Sequence, residues 1–302
     1  MTPGVVRVSA DWLDLREPAD AAARAEELVE PVRRYLTGRP LATVHDLGAG
    51  TGSMGRWLAP RLPGAQHWVL HDRDPDLLKR AADGIASTTA DGAPVTVEVR
   101  EDDITELRPG DLDGASLVTA SALLDMLTGE EIDGIVAACA SAGCPVLLTI
   151  SVVGRVELTP PDPLDSPIAE AFNAHQRRTI AGDACGAGAS RRLTAGDACG
   201  AGASRRLTEG RRLLGPDAVH AAAEAFRRYG MDVRLHPSPW RLGPDQAGLA
   251  VEWLRGWLDA ACEQRPELTG PARSYETRRL ADARAGQLRV VVHHCDLLAG
   301  WR

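Results

Sequence analysis

The sequence lacks any run of 18 consecutive apolar residues, which is the length that a membrane-spanning helix requires. Its first segment, MTPGVVRVSADWLDL, also lacks the basic start and apolar core of a secretory signal. These two absences argue against a membrane protein and against a secreted one. We therefore expect a cytoplasmic protein without a membrane partner.

The six cysteines form no C-x-x-C pair, the spacing typical of zinc and redox sites. Two of them, Cys185 and Cys199, occupy the same position in two copies of a repeat. The pattern favours neither a disulfide framework nor a zinc site. The run HHC at residues 293–295 contains metal-binding side chains, but neighbouring residues of a strand point to opposite faces. We expect ordinary strand residues there and no metal site.

Positive charge is not in excess either, because 34 lysines and arginines face 42 aspartates and glutamates, and the formal net charge is −8. A nucleic-acid-binding protein usually presents clustered lysine and arginine to the phosphate backbone. The composition thus argues against nucleic acid as the main partner and favours a small molecule. With 302 residues, the chain is long enough for one large α/β domain or for a domain with a cap.

Strand and helix patterns alternate between residues 41 and 153. Apolar runs typical of buried strands occupy 41–47, 67–72, 95–102, 116–124 and 145–153, and helices are predicted over 53–62, 75–86 and 130–141. Such alternation is typical of a doubly wound parallel sheet with helices on both faces. We therefore predict an α/β fold for this part of the chain.

Further elements flank the alternating region. Helices are predicted over 18–37, 168–178, 215–230 and 246–264, and strands over 231–236 and 287–297. The long helix between the last two strands predicts a cap on the sheet. Its stripe of Leu249, Trp253 and Trp257 indicates packing within the cap rather than an aromatic substrate site.

A fourteen-residue segment, AGDACGAGASRRLT, occurs at 181–194 and again at 195–208. It cannot bury a core because it is rich in alanine and glycine, and two copies are too few for a solenoid. We predict a duplicated surface loop over 181–208. Eight arginines against three acidic residues between 177 and 212 could bind an anionic partner. Duplication of a single arginine pair also accounts for this excess.

The segment VHDLGAGTGSMGRWL after the first strand can be interpreted in two registers. The glycines at positions 50, 52 and 55 fit the G-x-G-x-x-G of a dinucleotide loop. The pattern D-x-G-x-G-x-G, which holds S-adenosylmethionine, begins instead at Asp46. Both registers use glycine for a tight turn and for close approach of a ligand to the next helix. The loop alone does not decide between them.

Features beyond the loop favour S-adenosylmethionine. Asp46 would neutralise the ammonium of a methionine moiety, whereas it would repel a pyrophosphate. Asp72 ends the next strand, where it can accept hydrogen bonds from a ribose in either ligand class. Asp103 and Ile104, after the third strand, can bind an adenine amino group and pack on the ring. No second mononucleotide-binding half follows the fourth strand.

The segments VHDLGAGTG, VLHDRDPDLL, REDDITEL and SLVTASALLDML resemble, in order and spacing, the four cofactor motifs of class I S-adenosylmethionine-dependent methyltransferases. The match covers residues 41–153. The rest of the chain, with SVVGRVELTP, FNAHQRR and SPWRLGPD, resembles actinobacterial members of unassigned substrate. The resemblance implies a Rossmann-like, doubly wound, mostly parallel sheet of seven strands. The N-terminal helical segment precedes this sheet, and the helical cap is inserted before its last strand.

The resemblance also implies the cofactor, S-adenosyl-L-methionine, and the residues that hold it. These are Asp46, Gly48, Gly50 and Gly52 in the loop, Asp72 at the ribose, Asp103 and Ile104 at the adenine, and Ser121 at the end of the fourth strand. The chain is divided accordingly into an N-terminal helical segment (1–40), a cofactor-binding core (41–155) and a substrate and cap region (156–302). The last two core strands belong to the third part.

Ligands of open parallel sheets bind beyond the carboxyl ends of the strands, and this rule selects the acceptor-side candidates. The fourth strand leads to Ser121 and Asp125. The fifth leads to Arg155, and the sixth leads to His236 and Trp240, so we expect these last three residues to contact the substrate. A reversed seventh strand would place His293 and His294 at the opposite edge.

Methyl transfer from a sulfonium is an in-line displacement that depends mainly on alignment of the reactants. A hydroxyl or amine acceptor must also lose a proton, so a base is useful. One candidate is His175, which shares a helix face with Ile168 and Phe172 and could equally be a structural residue. The other is Asp125, which could instead orient the substrate or cap the helix near Glu130.

We therefore expect a methyltransferase that acts on an oxygen or nitrogen atom of a small molecule. Two alternatives stay open. The first is an RNA methyltransferase that uses the arginine-rich segment, and its RNA binding would depend strongly on salt. The second is a protein that binds S-adenosylmethionine without catalysis.

Overall fold

The computed structural model describes residues 9–180 and 210–301 of the chain. The duplicated segment at 181–208, predicted to be a surface loop, therefore lies outside the described residues. The N-terminal part contains helix α1 (Ala10–Ala23), a 3₁₀ turn (Glu26–Leu28) and helix α2 (Val29–Leu36). The prediction of one continuous helix over 18–37 is wrong, because the chain leaves the helical conformation at Arg24.

A central sheet carries the fold. Its strands are β1 (Ala42–Leu47), β2 (Gln66–Asp72), β3 (Val95–Glu101), β4 (Leu117–Ser121), β5 (Val146–Thr159), β8 (Asp232–Pro237), β9 (Trp240–Leu242) and β10 (Arg289–Gly300), while β6 (Thr179–Ile180) and β7 (Arg211–Arg212) form a separate pair. The order is β3-β2-β1-β4-β5-β10-β8, and the first five strands are parallel. β10 runs antiparallel to its neighbours. The predicted Rossmann-like, mostly parallel sheet of seven strands is confirmed, and β9 adds a short strand beside β10.

Helices cover both faces of the sheet. They are α3 (Ser53–Leu58), α4 (Pro75–Gly84), α5 (Gly129–Ala142), α6 (Asp165–Gln176), α7 (Ala218–Arg228), α8 (Ala247–Gln264) and α9 (Thr269–Arg284). Their starts follow local rules, as in α5, where Thr128 and Glu131 form a reciprocal capping box. The cap before β10 contains two helices, α8 and α9. Sequence patterns missed α9 because its segment, TGPARSYETRRLADAR, has no clear apolar stripe.

Three apolar clusters form the core. One lies between the sheet and helices α5 and α7, and a second lies between the opposite face and helices α2 to α4. The third joins the cap to β9 and β10. The predicted packing role of the cap stripe is confirmed, because Leu249 and Trp257 are buried in this third cluster. Trp253 stacks on Trp257 with ring centroids 5.2 Å apart.

Strand β5 continues well past the carboxyl ends of its parallel neighbours. Ser121, the last residue of β4, pairs with Thr149, whereas β5 extends ten residues further to Thr159. β10 pairs along this extension, and His294 lies opposite Val152. The expectation that the histidines of β10 lie at the opposite edge is therefore wrong. Strand β10 starts beyond the carboxyl edge of the parallel strands, where Arg289 lies opposite Thr159. His294 therefore lies close to the carboxyl edge.

Candidate active site

The loop after β1 adopts a conformation that requires glycine. Gly50 and Gly52 have φ values of +55° and +85°, in a region that side chains with a Cβ avoid. A Cβ on Gly52 would also lie 3.0 Å from the Cα of Ala81 on α4. The loop can therefore bring backbone close to a ligand and to the next helix.

Asp46 ends β1 as a buried carboxyl group with incomplete hydrogen bonding. Its Oδ1 accepts a hydrogen bond of 2.7 Å from Thr119 Oγ1, whereas Oδ2 has no partner. Burial raises the pKa of Asp46 to about 7, and the bond from Thr119 and the charge of Arg24 oppose this rise. An ammonium group beside Oδ2 would supply the missing partner and favour the ionised carboxylate.

Arg24, which the sequence patterns did not identify, supplies a buried positive charge near this carboxyl. The side chain donates to Ser53 Oγ at 3.1 Å and to Ser121 Oγ at 3.0 Å, and the guanidinium lies 5.3 Å from the Trp57 ring centroid. Its Nε is buried without a partner, and burial lowers the pKa of the guanidinium. The unpartnered donor Arg24 Nε and the unpartnered acceptor Asp46 Oδ2 thus both occur at the carboxyl edge of the sheet.

These two atoms match the amino-acid end of S-adenosylmethionine. Asp46 Oδ2 can accept from the α-ammonium group, and Arg24 Nε can donate to the α-carboxylate. A buried polar atom without a partner costs free energy, and a zwitterionic ligand would satisfy both. The residues at this end of the sheet therefore fit the cofactor that the glycine loop predicts.

The predicted ribose and adenine residues follow adjacent strands. Asp72 accepts from Gly50 N at 2.8 Å and from Asp74 N at 3.0 Å. Asp103 caps the turn Ile104–Glu106 by accepting from Thr105 N at 2.9 Å. Ile104 is buried. The structure places these residues at the carboxyl ends of β2 and β3, next to the glycine loop.

A row of hydrogen-bonded side chains crosses β1, β2 and the end of β3. Nδ1 of His45 lies 2.9 Å from Nε2 of His71, and Nδ1 of His71 lies 2.8 Å from Oδ2 of Asp102. Both imidazoles are buried. Burial, together with the neighbouring His71, lowers the pKa of His45 to about 4. The row ties the adenine-side turn, which begins at Asp103, to the two central strands.

Two residues at the carboxyl edge of the sheet, one directly after β4 and one within β5, have strained backbone. Ala122 has a φ of +52° and Ile150 a φ of +56°, values that are unfavourable for non-glycine residues. Asp296 holds this region, since its Oδ1 accepts from Ile150 N at 2.7 Å and its Oδ2 accepts from Ala25 N at 2.8 Å. The same carboxylate therefore connects β5 to the N-terminal segment that carries Arg24.

Asp125 lies in the 3₁₀ turn Leu124–Met126, directly after the strained residue that follows β4. Burial raises its pKa, and the charge of Arg16 opposes the rise. It does not cap α5, because the N-cap of that helix is Thr128. The alternative role as a helix cap is therefore wrong, and Asp125 is left as an acidic group in the turn that follows β4.

Helix α1 adds a second polar group to this edge. Trp240 Nε1 donates to Asp20 Oδ1 at 2.9 Å, and Arg16 binds both oxygens of the same carboxylate. His294 packs against Trp240 with ring centroids 5.1 Å apart. Burial lowers the pKa of His294 to about 3, so the imidazole is neutral. The predicted substrate residue Trp240 thus lies beneath α1, and its indole N–H is bound within the protein.

The other predicted acceptor-side residues lie apart from this group. His175 Nε2 is 3.2 Å from Glu263 Oε2 on α8, and burial lowers the pKa of the imidazole. Arg155 is exposed and pairs with Glu157 at 2.6 Å. His236 is partly exposed on the edge strand β8. The structure does not join these three side chains to Asp46, Ser121 or Asp125 by hydrogen bonds.

Within residues 9–180 and 210–301, no group of three or more histidine, cysteine, aspartate or glutamate side chains could hold a metal ion. In the same residues, no helix has the length and apolar character needed to cross a membrane.

Comparisons with known proteins cover either the cofactor-binding part or nearly the whole chain. Residues 44–144 match the family model of a methyltransferase domain. No curated protein matches the sequence. The cyclopropane synthase MmaA2 from Mycobacterium tuberculosis is a similar solved structure, with 13% identity, coverage of 97% of this chain and 94% of the other, and a TM-score of 0.47. A methyltransferase from Geobacter sulfurreducens in complex with S-adenosyl-L-homocysteine has 14% identity, coverage of 99% and 100%, and a TM-score of 0.44.

The matched residues contain β1 to β4, the glycine loop and the acidic residues at the strand ends. They therefore include every predicted cofactor residue. Residues 44–144 are thus similar to a methyltransferase domain, and the residues at their strand ends fit S-adenosylmethionine.

Proposed function

We propose that the chain is a class I S-adenosylmethionine-dependent methyltransferase that acts on an oxygen or nitrogen atom of a small molecule, with the acceptor bound between α1 and the edge where β4 ends. The observation that supports it most is that Arg24 Nε and Asp46 Oδ2, which are buried without partners, can hold the cofactor at this edge, while the turn with Asp125 follows β4 there. A site of buried charges that is covered by a helix suits a small ligand.

Cofactor binding is assigned to residues at four strand ends. In this proposal Asp46 and Arg24 bind the amino-acid end, Asp72 binds the ribose, and Asp103 with Ile104 borders the adenine. Gly48, Gly50 and Gly52 allow close approach of the loop, and Ser121 holds Arg24 in place through the bond of 3.0 Å. When bound, S-adenosylmethionine supplies an electrophilic methyl group on its sulfonium.

The chain itself contributes alignment and a proton acceptor. The strained Ala122 and the turn after it fix Asp125 beside Ser121, and good alignment supplies much of the acceleration in such displacements. Burial raises the pKa of Asp125, which makes its carboxylate a better acceptor for the proton of a hydroxyl or amine. We assign the role of base to Asp125.

His175 remains the second candidate for the base. It lies on α6, and its contact with Glu263 belongs to the interface with the cap helix α8. Trp240, Arg155 and His236 remain proposed substrate residues, and Trp240 is the one that lies beside α1 at the strand edge. The other two lie on the extension of β5 and on the edge strand β8.

Labelled S-adenosylmethionine tests the acceptor class. We expect the wild-type protein to transfer label to small molecules of a metabolite extract and not to total RNA. Asp125→Asn should lower the rate at least tenfold while the affinity for S-adenosylhomocysteine stays unchanged. Label in RNA alone would support the RNA alternative. Binding without transfer to either acceptor would support a non-catalytic protein.

A further inference from the structure

The guanidinium of Arg16 is held in one orientation at the carboxyl edge of the sheet. Its Nε and Nη2 donate to the two carboxylate oxygens of Asp20, at 2.9 and 3.2 Å. Its carbon Cζ lies 5.2 Å from the centroid of the Trp240 ring, and Trp240 Nε1 fixes Asp20 in turn. A cation held in this way loses little conformational entropy when it binds a ligand.

Arg16 retains hydrogen-bonding capacity. Asp20 uses two of the five N–H groups of a guanidinium, and Nη1 makes no hydrogen bond to the described residues. Nη1 is also not among the atoms sealed from solvent without a partner. A ligand can therefore reach this side of the guanidinium.

Arg16 and Asp125 face the same edge from different elements. Arg16 belongs to α1, which covers the edge, and Asp125 belongs to the turn that follows β4. Arg16 lies over the ring of Trp240, and Trp240 packs against His294, which lies opposite Val152 of β5. Val152 is three residues past Thr149, which pairs with Ser121 at the end of β4, so Arg16 and the turn with Asp125 belong to the same edge. The two groups form no ion pair, because the carboxylate that binds Arg16 is that of Asp20.

Other groups around Arg16 do not compete for an anion. His294, which packs on Trp240, is buried and neutral. Arg24 is bound to Ser53 and Ser121 and belongs to the proposed cofactor site. Arg16 is thus the cation placed on the acceptor side of this edge.

We propose that the methyl acceptor carries an anionic group, a carboxylate or a phosphate, which Arg16 binds while Asp125 faces the hydroxyl or amine that receives the methyl group. A guanidinium binds either anion through paired hydrogen bonds. The inference rests on the proposed function, since it takes Asp125 as the group on the acceptor side. It narrows the substrate class from small molecules in general to small hydroxy or amino acids and phosphate esters.

Thermal shift with four probes tests this inference. The probes are glycolate, 2-phosphoglycolate, glycolamide and ethanolamine, each added at millimolar concentration to protein saturated with S-adenosylhomocysteine. We expect one or both anions to raise the melting temperature, and glycolamide and ethanolamine to leave it unchanged. A larger rise in melting temperature with glycolate indicates a carboxylate site, and a larger rise with 2-phosphoglycolate indicates a phosphate site.

Variants identify the residue responsible. Arg16→Gln should weaken the apparent affinity for the anion at least tenfold, and Arg16→Lys, which keeps the charge but not the paired geometry, should weaken it less. Arg80→Gln is the matched control. Arg80, on α4, forms an exposed ion pair of 2.6 Å with Asp14, which lies on α1 as Arg16 does. Arg80→Gln should show the same rise in melting temperature with the anion as the wild type. If Arg16→Gln fails to fold, the comparison of Arg16→Lys with the control still decides.

Three results would overturn the inference: an equal response to glycolamide, a response to ethanolamine alone, or no response to either anion. Calorimetry with S-adenosylhomocysteine separates this failure from failure of the proposed function. Wild-type protein that does not bind S-adenosylhomocysteine contradicts the cofactor site itself. Protein that binds it but ignores the anions contradicts only the anionic acceptor.

Discussion

Arg24 and Asp46 show why single side chains decide this site. Each group is buried and each retains one polar atom without a partner, an arrangement that lowers stability unless a ligand completes it. Burial shifts the pKa of both groups toward their neutral forms. A ligand with one positive and one negative group would reverse both shifts. The two residues thus lower the stability of the ligand-free protein and increase its affinity for such a ligand.

Substitution of Arg24 should separate the two ends of the cofactor. Arg24→Met should weaken S-adenosylhomocysteine binding more than tenfold, because a charge-assisted hydrogen bond contributes about 1.5–3 kcal/mol. Binding of 5′-methylthioadenosine, which lacks the amino-acid end, should change little. Calorimetry with both ligands measures the difference.

Arg61 provides the matched control for this substitution. Its guanidinium lies 4.8 Å from the centroid of the same Trp57 ring, but the side chain is partly exposed and pairs with Glu26 at 3.2 Å. Arg61→Met should therefore leave both affinities unchanged. If Arg24→Met lost affinity for S-adenosylhomocysteine and 5′-methylthioadenosine equally, Arg24 would have a structural role instead.

At the scale of elements, distant contacts decide where the N-terminal helices end. The chain leaves α1 at Arg24, where φ and ψ are −55° and 136°. The next backbone N–H, that of Ala25, donates to Asp296 on β10. A pattern of apolar residues cannot predict this break, since the acceptor lies 271 residues further along the chain. The break places α1 over the site and α2 against the core.

The histidine row across β1 and β2 should make stability depend on pH. The folded pKa of His45, about 4, lies below the ordinary value of 6.5. The unfolded chain therefore binds a proton first as pH falls, and the contribution of His45 to stability decreases between pH 6.5 and pH 4. The raised pKa of Asp46 acts in the opposite direction over this range. His294, with a pKa of about 3, adds a decrease of the same sign.

The variant His45→Asn tests this dependence. Asparagine can still donate to His71 but does not titrate, so the melting temperature should fall less steeply between pH 6.5 and pH 4 than in the wild type. Its absolute stability at pH 8 can be lower because a smaller side chain leaves a cavity. The exposed His220→Asn serves as control and should keep the wild-type slope. An unchanged slope in His45→Asn would contradict the assignment.

At the scale of the whole molecule, the sheet brings together residues from the entire chain. Arg24, Asp46, Ser121 and Asp296 are separated by up to 272 residues, yet hydrogen bonds and charge interactions connect them. Parallel strands create this meeting point, because their carboxyl ends align at one edge. The long pair of β5 and β10 then extends past that edge and carries β9 and the cap.

Deletion of residues 195–208, the second copy of the repeat, should leave this assembly intact. The sequence predicts a surface loop there, and halving the length of a loop changes its closure entropy by only about 0.6 kcal/mol. We expect an almost unchanged melting temperature and unchanged affinity for S-adenosylhomocysteine, measured by calorimetry. A large loss of either would show that the repeat supports the fold or the site.

The sequence alone determined the fold class and the choice of cofactor to propose. The strand and helix patterns, the glycine loop and the acidic residues at the strand ends are local features, and each can be recognised within a few residues. They correctly predicted the mostly parallel sheet, and they indicate S-adenosylmethionine as the ligand. The cap was also predicted, because its helix carries a clear apolar stripe.

Only the tertiary structure decided which side chains meet above that edge. It placed Arg16 and Arg24 at the site, and it moved His294 from the opposite edge to the carboxyl edge. It also bound His175 to the cap helix. These contacts depend on helix ends, strand lengths and partners that lie far apart in the sequence, so a local pattern contains no signal for them. Burial, which a sequence specifies only through the complete fold, then raises the pKa of Asp46 and of Asp125.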